Sequence, residues 1–141
     1  MKALRTSVEA AILDAYRDGY RYFMSGMADG FDLLAAETVL ELKRAGLEIF
    51  LVAVFPSRDS VHRHSPSVCR RIDTVCSSCD LTLFLEPAYR TGCELRRNLY
   101  MVDSSFRIIG YYNNLSRGTA HCWNYAVKKG LERINLYANA D

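Results

Sequence analysis

Two glycines, two aspartates and a serine crowd into eight residues, Ser25-Gly26-Met27-Ala28-Asp29-Gly30-Phe31-Asp32. Glycine lets a backbone take positive φ and approach a ligand closely. The free N–H groups that open the following helix would face whatever sits over such a turn, a geometry that suits a phosphate. The two glycines stand four residues apart, which is neither the dinucleotide fingerprint nor the Walker spacing. Asp29 and Asp32 put negative charge where a phosphate would go. They read equally well as a helix cap and as a complement to the helix dipole. These residues alone leave both readings open.

Five other groups carry side chains with chemistry. Arg96-Arg97-Asn98 could hold a phosphate or carboxylate through paired N–H donors, with the asparagine reading a ribose or a base edge. Helical spacing puts Asn98 and Met101 on one face with Glu94 and Leu95. Arg96 reads as part of a solvated basic face. Ser116-Arg117-Gly118-Thr119 offers N–H groups and a hydroxyl to an anion, or simply a Thr119 N-cap. Cys76-Ser77-Ser78-Cys79 has redox spacing, but it falls at a helix end, where the dipole raises rather than lowers a thiol pKa. His62, His64 and Cys69 lie upstream without a second pair at zinc spacing, so no metal site is expected. His121 and Cys122 are adjacent. On a helix they point apart, which argues against a dyad. No carboxylate pair stands at an acid–base spacing, and no catalytic residue is assigned.

The elements that must position these groups alternate. Residues 4–18 read as a helix stopped by Gly19, 21–25 as a strand, and 30–45 as a helix closed by Gly46. Glu48–Phe55 is a nearly continuous apolar run, the pattern of a strand buried on both faces of a parallel sheet. Residues 57–66 are polar and without a clear element. A helix is expected from Pro66 to Cys76, a strand over 80–85, a loop over 86–90 and a helix over 91–103. A strand over 106–112, a turn over 113–119, a helix over 119–129 and a strand over 133–137 complete the chain. This is an α/β domain, a three-layer arrangement around a mainly parallel sheet of about five strands, and residues 1–141 form one domain. Ligands in such sheets collect at the carboxyl ends of strands. The turns at 25–32, 89–98 and 113–119 fall there.

Composition narrows the function classes. The chain is 50% hydrophobic and 24% charged, an ordinary globular balance. A net charge of +2 is too mild for a nucleic-acid binder, and no basic aromatic strip is present. No apolar run approaches the roughly 20 residues that span a bilayer. Five cysteines and no secretion signal favour free thiols in a reducing, cytoplasmic setting.

The order of motifs is more specific than any one of them. Ser25-Gly26-Met27-Ala28-Asp29-Gly30-Phe31-Asp32, then Ala35-Ala36-Glu37, then Arg97-Asn98-Leu99-Tyr100-Met101-Val102-Asp103, then Gly118-Thr119 resembles the YpsA-like family of the SLOG superfamily. These are Rossmann-like domains related to the cytokinin-activating LOG enzymes and to the DNA-processing protein DprA. The likeness runs over residues 8–137. It implies a nucleotide-type small-molecule pocket formed by Ser25, Gly26, Met27, Ala28, Gly30, Asp32, Arg97, Asn98, Met101, Gly118 and Thr119. No metal or cofactor is expected, and a homo-oligomer is left open. The chain departs from the pattern in three places. Relatives usually begin with a central strand ending Thr-Gly-His-Arg, which this chain lacks. They usually have Gly-Gly-Thr where Arg117-Gly118-Thr119 stands. LOG enzymes carry Gly-Thr-x-x-Glu, and the glutamate position here is Cys122. The expectation is therefore a nucleotide-binding domain with no established reaction. A LOG-like N-glycosidic hydrolase is the alternative and a DprA-like nucleic-acid binder the second alternative.

Overall fold

The computed structural model describes residues 2–113 and 117–137. In chain order the elements are α1 (Lys2–Arg17), β1 (Tyr22–Ser25), α2 (Phe31–Arg44), β2 (Phe50–Phe55), a 3-10 turn (Arg58–His62), α3 (Pro66–Ser78), β3 (Leu81–Phe84), α4 (Cys93–Asp103), β4 (Arg107–Gly110), α5 (Arg117–Lys128) and β5 (Glu132–Asn135). The polar stretch at 57–66 thus contains a short 3-10 turn. The strands are shorter than their apolar runs because the outer residues fall beyond the paired register. The turn at Asn114–Ser116 and the tail from Ala138 lie outside the described residues.

Every strand pairing is parallel. β1 joins β2 from Tyr22↔Phe50 to Ser25↔Ala53, and β2 joins β3 from Val52↔Leu81 to Phe55↔Phe84. Asp80 fixes the second register: its carboxylate accepts the Leu51 N–H at 2.9 Å and pairs with Lys43. β4 joins β5 from Arg107↔Glu132 to Gly110↔Asn135.

The expected single sheet is instead two. Strands β1-β2-β3 form one sheet and β4-β5 another, and β1 and β4 do not pair. The divide runs between β1 and β4, and among the described residues no other pairing closes it. A cavity of about 700 Å³ lies there, lined by both free edges.

The main core sits on one face of the larger sheet. Phe23, Leu51, Ala53 and Phe55 pack there against Val8 and Ile12 of α1, Leu33, Ala36 and Leu40 of α2, and Ile72 and Val75 of α3. A smaller cluster of Val102, Ala126 and Leu131 joins α4 and α5 to the second sheet. A Cβ on Gly110 would stand 2.9 Å from the Trp123 ring, so only glycine lets α5 pack this close to β4.

Candidate functional site

The turn after β1 is shaped by its own side chains. Ser25 Oγ donates to the Asp32 carbonyl at 2.9 Å and accepts the Met27 N–H at 3.1 Å. These two bonds tie the strand end to the first turn of α2. Helix α2 begins after Gly30, whose φ of 97° suits glycine, and no side chain caps it. Asp29 is exposed and does not cap the helix. Asp32 occupies the first turn, as its dipole role requires.

Gly26 serves a different purpose from the one its type suggests. It is not among the positive-φ residues; Met27 is, with φ 59°. A Cβ at Gly26 would meet Asp32 Oδ2 at 2.8 Å and the Arg97 Cζ and Nε at 2.9 Å. The glycine therefore makes room for the chain's own Asp32 and Arg97. Met27 turns its side chain into the core and is 1% exposed, so only its backbone faces the turn.

Arg97 comes from α4 and is 5% exposed. Its Nη1 donates to the Gly26 carbonyl, and its Nε donates to Asn98 Oδ1 at 2.7 Å. Among the described residues no hydrogen bond uses Nη2. Asn98 therefore commits its carbonyl to Arg97 and keeps its amide N–H groups. Arg96 leaves this cluster and pairs with Glu86.

Asp32 and Arg97 set the local electrostatics. Burial raises the Asp32 carboxyl above the ordinary carboxylate value, against the pull of the Arg97 guanidinium and a hydrogen bond from the Ala28 N–H. Cys122 of α5 lies within electrostatic reach of both. Burial first, and then the Asp32 carboxylate, push its thiol up to about 11, and Arg97 only partly offsets them. A thiol so placed stays protonated near neutrality and is a poor nucleophile.

These residues gather at the carboxyl ends of the strands. Phe31 at the start of α2 stacks on Tyr111 just past β4, with ring centroids 6.2 Å apart, so both sheets present the same end. Ser25, Met101 and Cys122 line the cavity between the sheets. Ser25, Gly26, Asp32, Arg97 and Asn98 form one connected cluster. Gly118 and Thr119 open α5 one turn before Cys122. Thr119 is inside the helix and is not its N-cap. Ala28 reaches the cluster through its N–H, and Gly30 through the helix start. The residue that motif reasoning placed outside the ligand set is Cys122; its spacing of three from Thr119 was the available signal.

The remaining sequence candidates stay apart. Glu37 holds Arg71 through two bonds of 3.0 and 2.7 Å. Cys79 closes α3, and its Sγ lies 3.2 Å from Thr82 Oγ1. Burial and the neighbouring Cys79 push the Cys76 thiol up to about 11, the reverse of an activated pair. All five cysteines are free. Among the described residues no group of histidine, cysteine and carboxylate side chains is arranged to hold a metal, and no helix is long and apolar enough to cross a membrane.

A parallel α/β fold with a glycine turn after β1, answered by an arginine from α4, defines a Rossmann-like domain with its polar cluster at the strand ends. The YpsA family model, described as the YspA SLOG family, matches residues 1–138. The chain belongs to this SLOG family. A comparison with curated proteins finds no match.

Proposed function

We propose that this domain binds a nucleotide or nucleotide-derived ligand at the carboxyl end of β1. The observation that carries the reading is the nearly buried Arg97 guanidinium set beside the Asp32 carboxyl over Gly26. A guanidinium with a donor to spare suits a phosphate. A carboxyl next to it suits a ribose hydroxyl, and the Asn98 amide can donate to a base or sugar oxygen. Family membership supports a nucleotide-related role, and the Gly118-Thr119 start of α5 supplies further N–H groups at the same end. Thermal-shift and calorimetric titration with nucleoside monophosphates test the proposal. A ligand at a hundred times its dissociation constant adds about 2.7 kcal/mol to stability. Arg97→Ala is expected to weaken binding by about 1.5–3 kcal/mol through loss of a charge-assisted contact. No shift with any nucleotide, from a folded protein, would refute the reading.

A second reading, hydrolysis of an N-glycosidic bond, rests on Asp32. Cys122 cannot do the work of a carboxylate, and Glu37 is held by Arg71. Asp32 has a raised pKa within reach of Cys122, which is the property of a carboxyl able to hold a proton for transfer. Release of free base from nucleoside monophosphates, abolished by Asp32→Asn with binding retained, would put this reading first. Binding without base release keeps the domain a binder.

A further inference from the structure

The polar cluster over Gly26 is continued by two aromatic rings. Phe31 precedes Asp32 at the start of α2. Neighbouring residues on a helix point about 100° apart. The Asp32 carboxyl turns to Gly26 and Arg97, while the Phe31 ring turns to Tyr111, just past β4. The start of α2 thus sets a carboxyl between a guanidinium on one side and an aromatic pair on the other.

The pair is held in place but not closed. Its rings lie 17° from parallel, with centroids 6.2 Å apart. The other stacked pairs among the described residues sit closer, at 5.0, 5.4 and 5.7 Å. The wider spacing leaves ring face uncovered, and Tyr111 keeps 36% of its surface exposed. Its position is nevertheless fixed. The Tyr137 ring meets it edge-on at 5.1 Å. The Asn135 side chain accepts the N–H groups of Tyr112 and Tyr137 and donates to the Tyr112 carbonyl. Phe31 is anchored against the main core. Rings already fixed lose little freedom when a planar group settles on them.

We infer that the Phe31–Tyr111 pair is the base-stacking subsite of the nucleotide pocket. The inference rests on the nucleotide reading and deepens it. Phosphate at Arg97, ribose at Asp32 and base on the rings follow the order of groups along a nucleoside monophosphate. The ligand class is then a nucleoside phosphate with its planar base attached, and not a bare sugar phosphate. Stacking reads the face of a base and not its edge, so the rings supply affinity more than a choice among bases.

Calorimetric titration of the whole 141-residue chain with adenosine monophosphate and with ribose-5-phosphate tests this, because the two ligands differ by the base alone. Adenosine monophosphate is expected to bind about 5–150-fold more tightly, the range that one stacked base supplies. Tyr111→Ala should weaken its binding about fivefold or more and leave ribose-5-phosphate unchanged. Tyr111→Phe keeps the ring and should match the parent for both ligands. The monophosphate of 2-aminopurine riboside gives a readout that needs no variant, since stacking on the rings should quench its fluorescence. Equal affinity of the parent for the two ligands would overturn the subsite and leave a sugar-phosphate pocket standing. Unquenched fluorescence on binding would place the base elsewhere and overturn it. Equal weakening of both ligands by Tyr111→Ala would show that the ring only joins the two sheets, and would overturn it as well. Binding of neither ligand to the folded parent would refute the nucleotide reading itself, and this inference with it.

Discussion

At the scale of single residues, the cluster over Gly26 depends on a hydrogen atom where other residues have a methyl group. Gly26→Ala puts a Cβ within 3 Å of Asp32 Oδ2 and Arg97 Cζ, closer than carbon atoms tolerate. Both side chains must move, and overpacking of this kind costs about 1–3 kcal/mol. Chemical denaturation should show that loss, and nucleotide-induced stabilisation should vanish with it. Asp32 has a pH signature of its own. Its pKa is raised on folding above the ordinary 3.8. Between these two values the native state holds more protons than the unfolded state, so this group's contribution falls as pH rises through that window. Asp32→Asn removes a buried charge and should raise the melting temperature at pH 7. Below pH 3.8 the variant and the parent should melt together on this account. A variant less stable than the parent at pH 7 would show that the Arg97 attraction outweighs burial.

At the scale of elements, short polar ties decide where strands begin. Asp80 precedes β3, and its carboxylate takes the β2 N–H of Leu51 and the ammonium of Lys43 from the end of α2. Its pKa is lowered, chiefly by the Lys43 hydrogen bond. That contribution is present above 3.8 and is lost as pH falls through the depressed folded value, opposite in sign to Asp32. The group is part-exposed, so Asp80→Ala should cost about 1 kcal/mol rather than the larger figure for buried ion pairs. Urea titration at pH 7 checks this, and the deficit should shrink under acid. The Asp29 cap was a sound expectation from residue type. No side chain caps α2; the Ser25 hydroxyl ties the end of β1 to the first turn of the helix through the Asp32 carbonyl, and a side chain already fixed by β1 loses less freedom in doing so.

At the scale of the whole molecule, burial is unequal across the divide. Among the described residues the core of α1, α2 and α3 on β1-β2-β3 holds fifteen buried residues, against three in the cluster that joins α4 and α5 to β4-β5. Opening free energy follows buried apolar contact. Amides of β4 and β5 should therefore exchange faster than those of β2, which is paired on both sides. Native-state hydrogen exchange measures this directly, and equal protection in both sheets would contradict it. Among the described residues the contacts that bridge the halves include Arg107 with Asp18, the Phe31–Tyr111 stack, Leu136 against the main core, and Arg97 on Gly26. Arg97 thus links the polar cluster to the joint between the halves, and Arg97→Ala should also speed exchange in α4.

By itself the sequence determined the element order. Helical and strand periods, the glycine stops and the continuous apolar run of β2 are local signals, and they act over a few residues. It also marked Gly26, Asp32 and Arg97, because their motif order resembles a known family. What it could not determine were relations that depend on approach across many residues. That Gly26 makes room for Arg97, 71 positions away, is a packing fact with no local trace. So is the proximity of Cys122 to Asp32, which burial and charge express only once α2 and α5 meet at the strand ends. Above all, only the tertiary structure decided that β1 and β4 do not pair. Strand pairing depends on which edges come within hydrogen-bonding reach, and the local patterns of the two strands do not carry that distance.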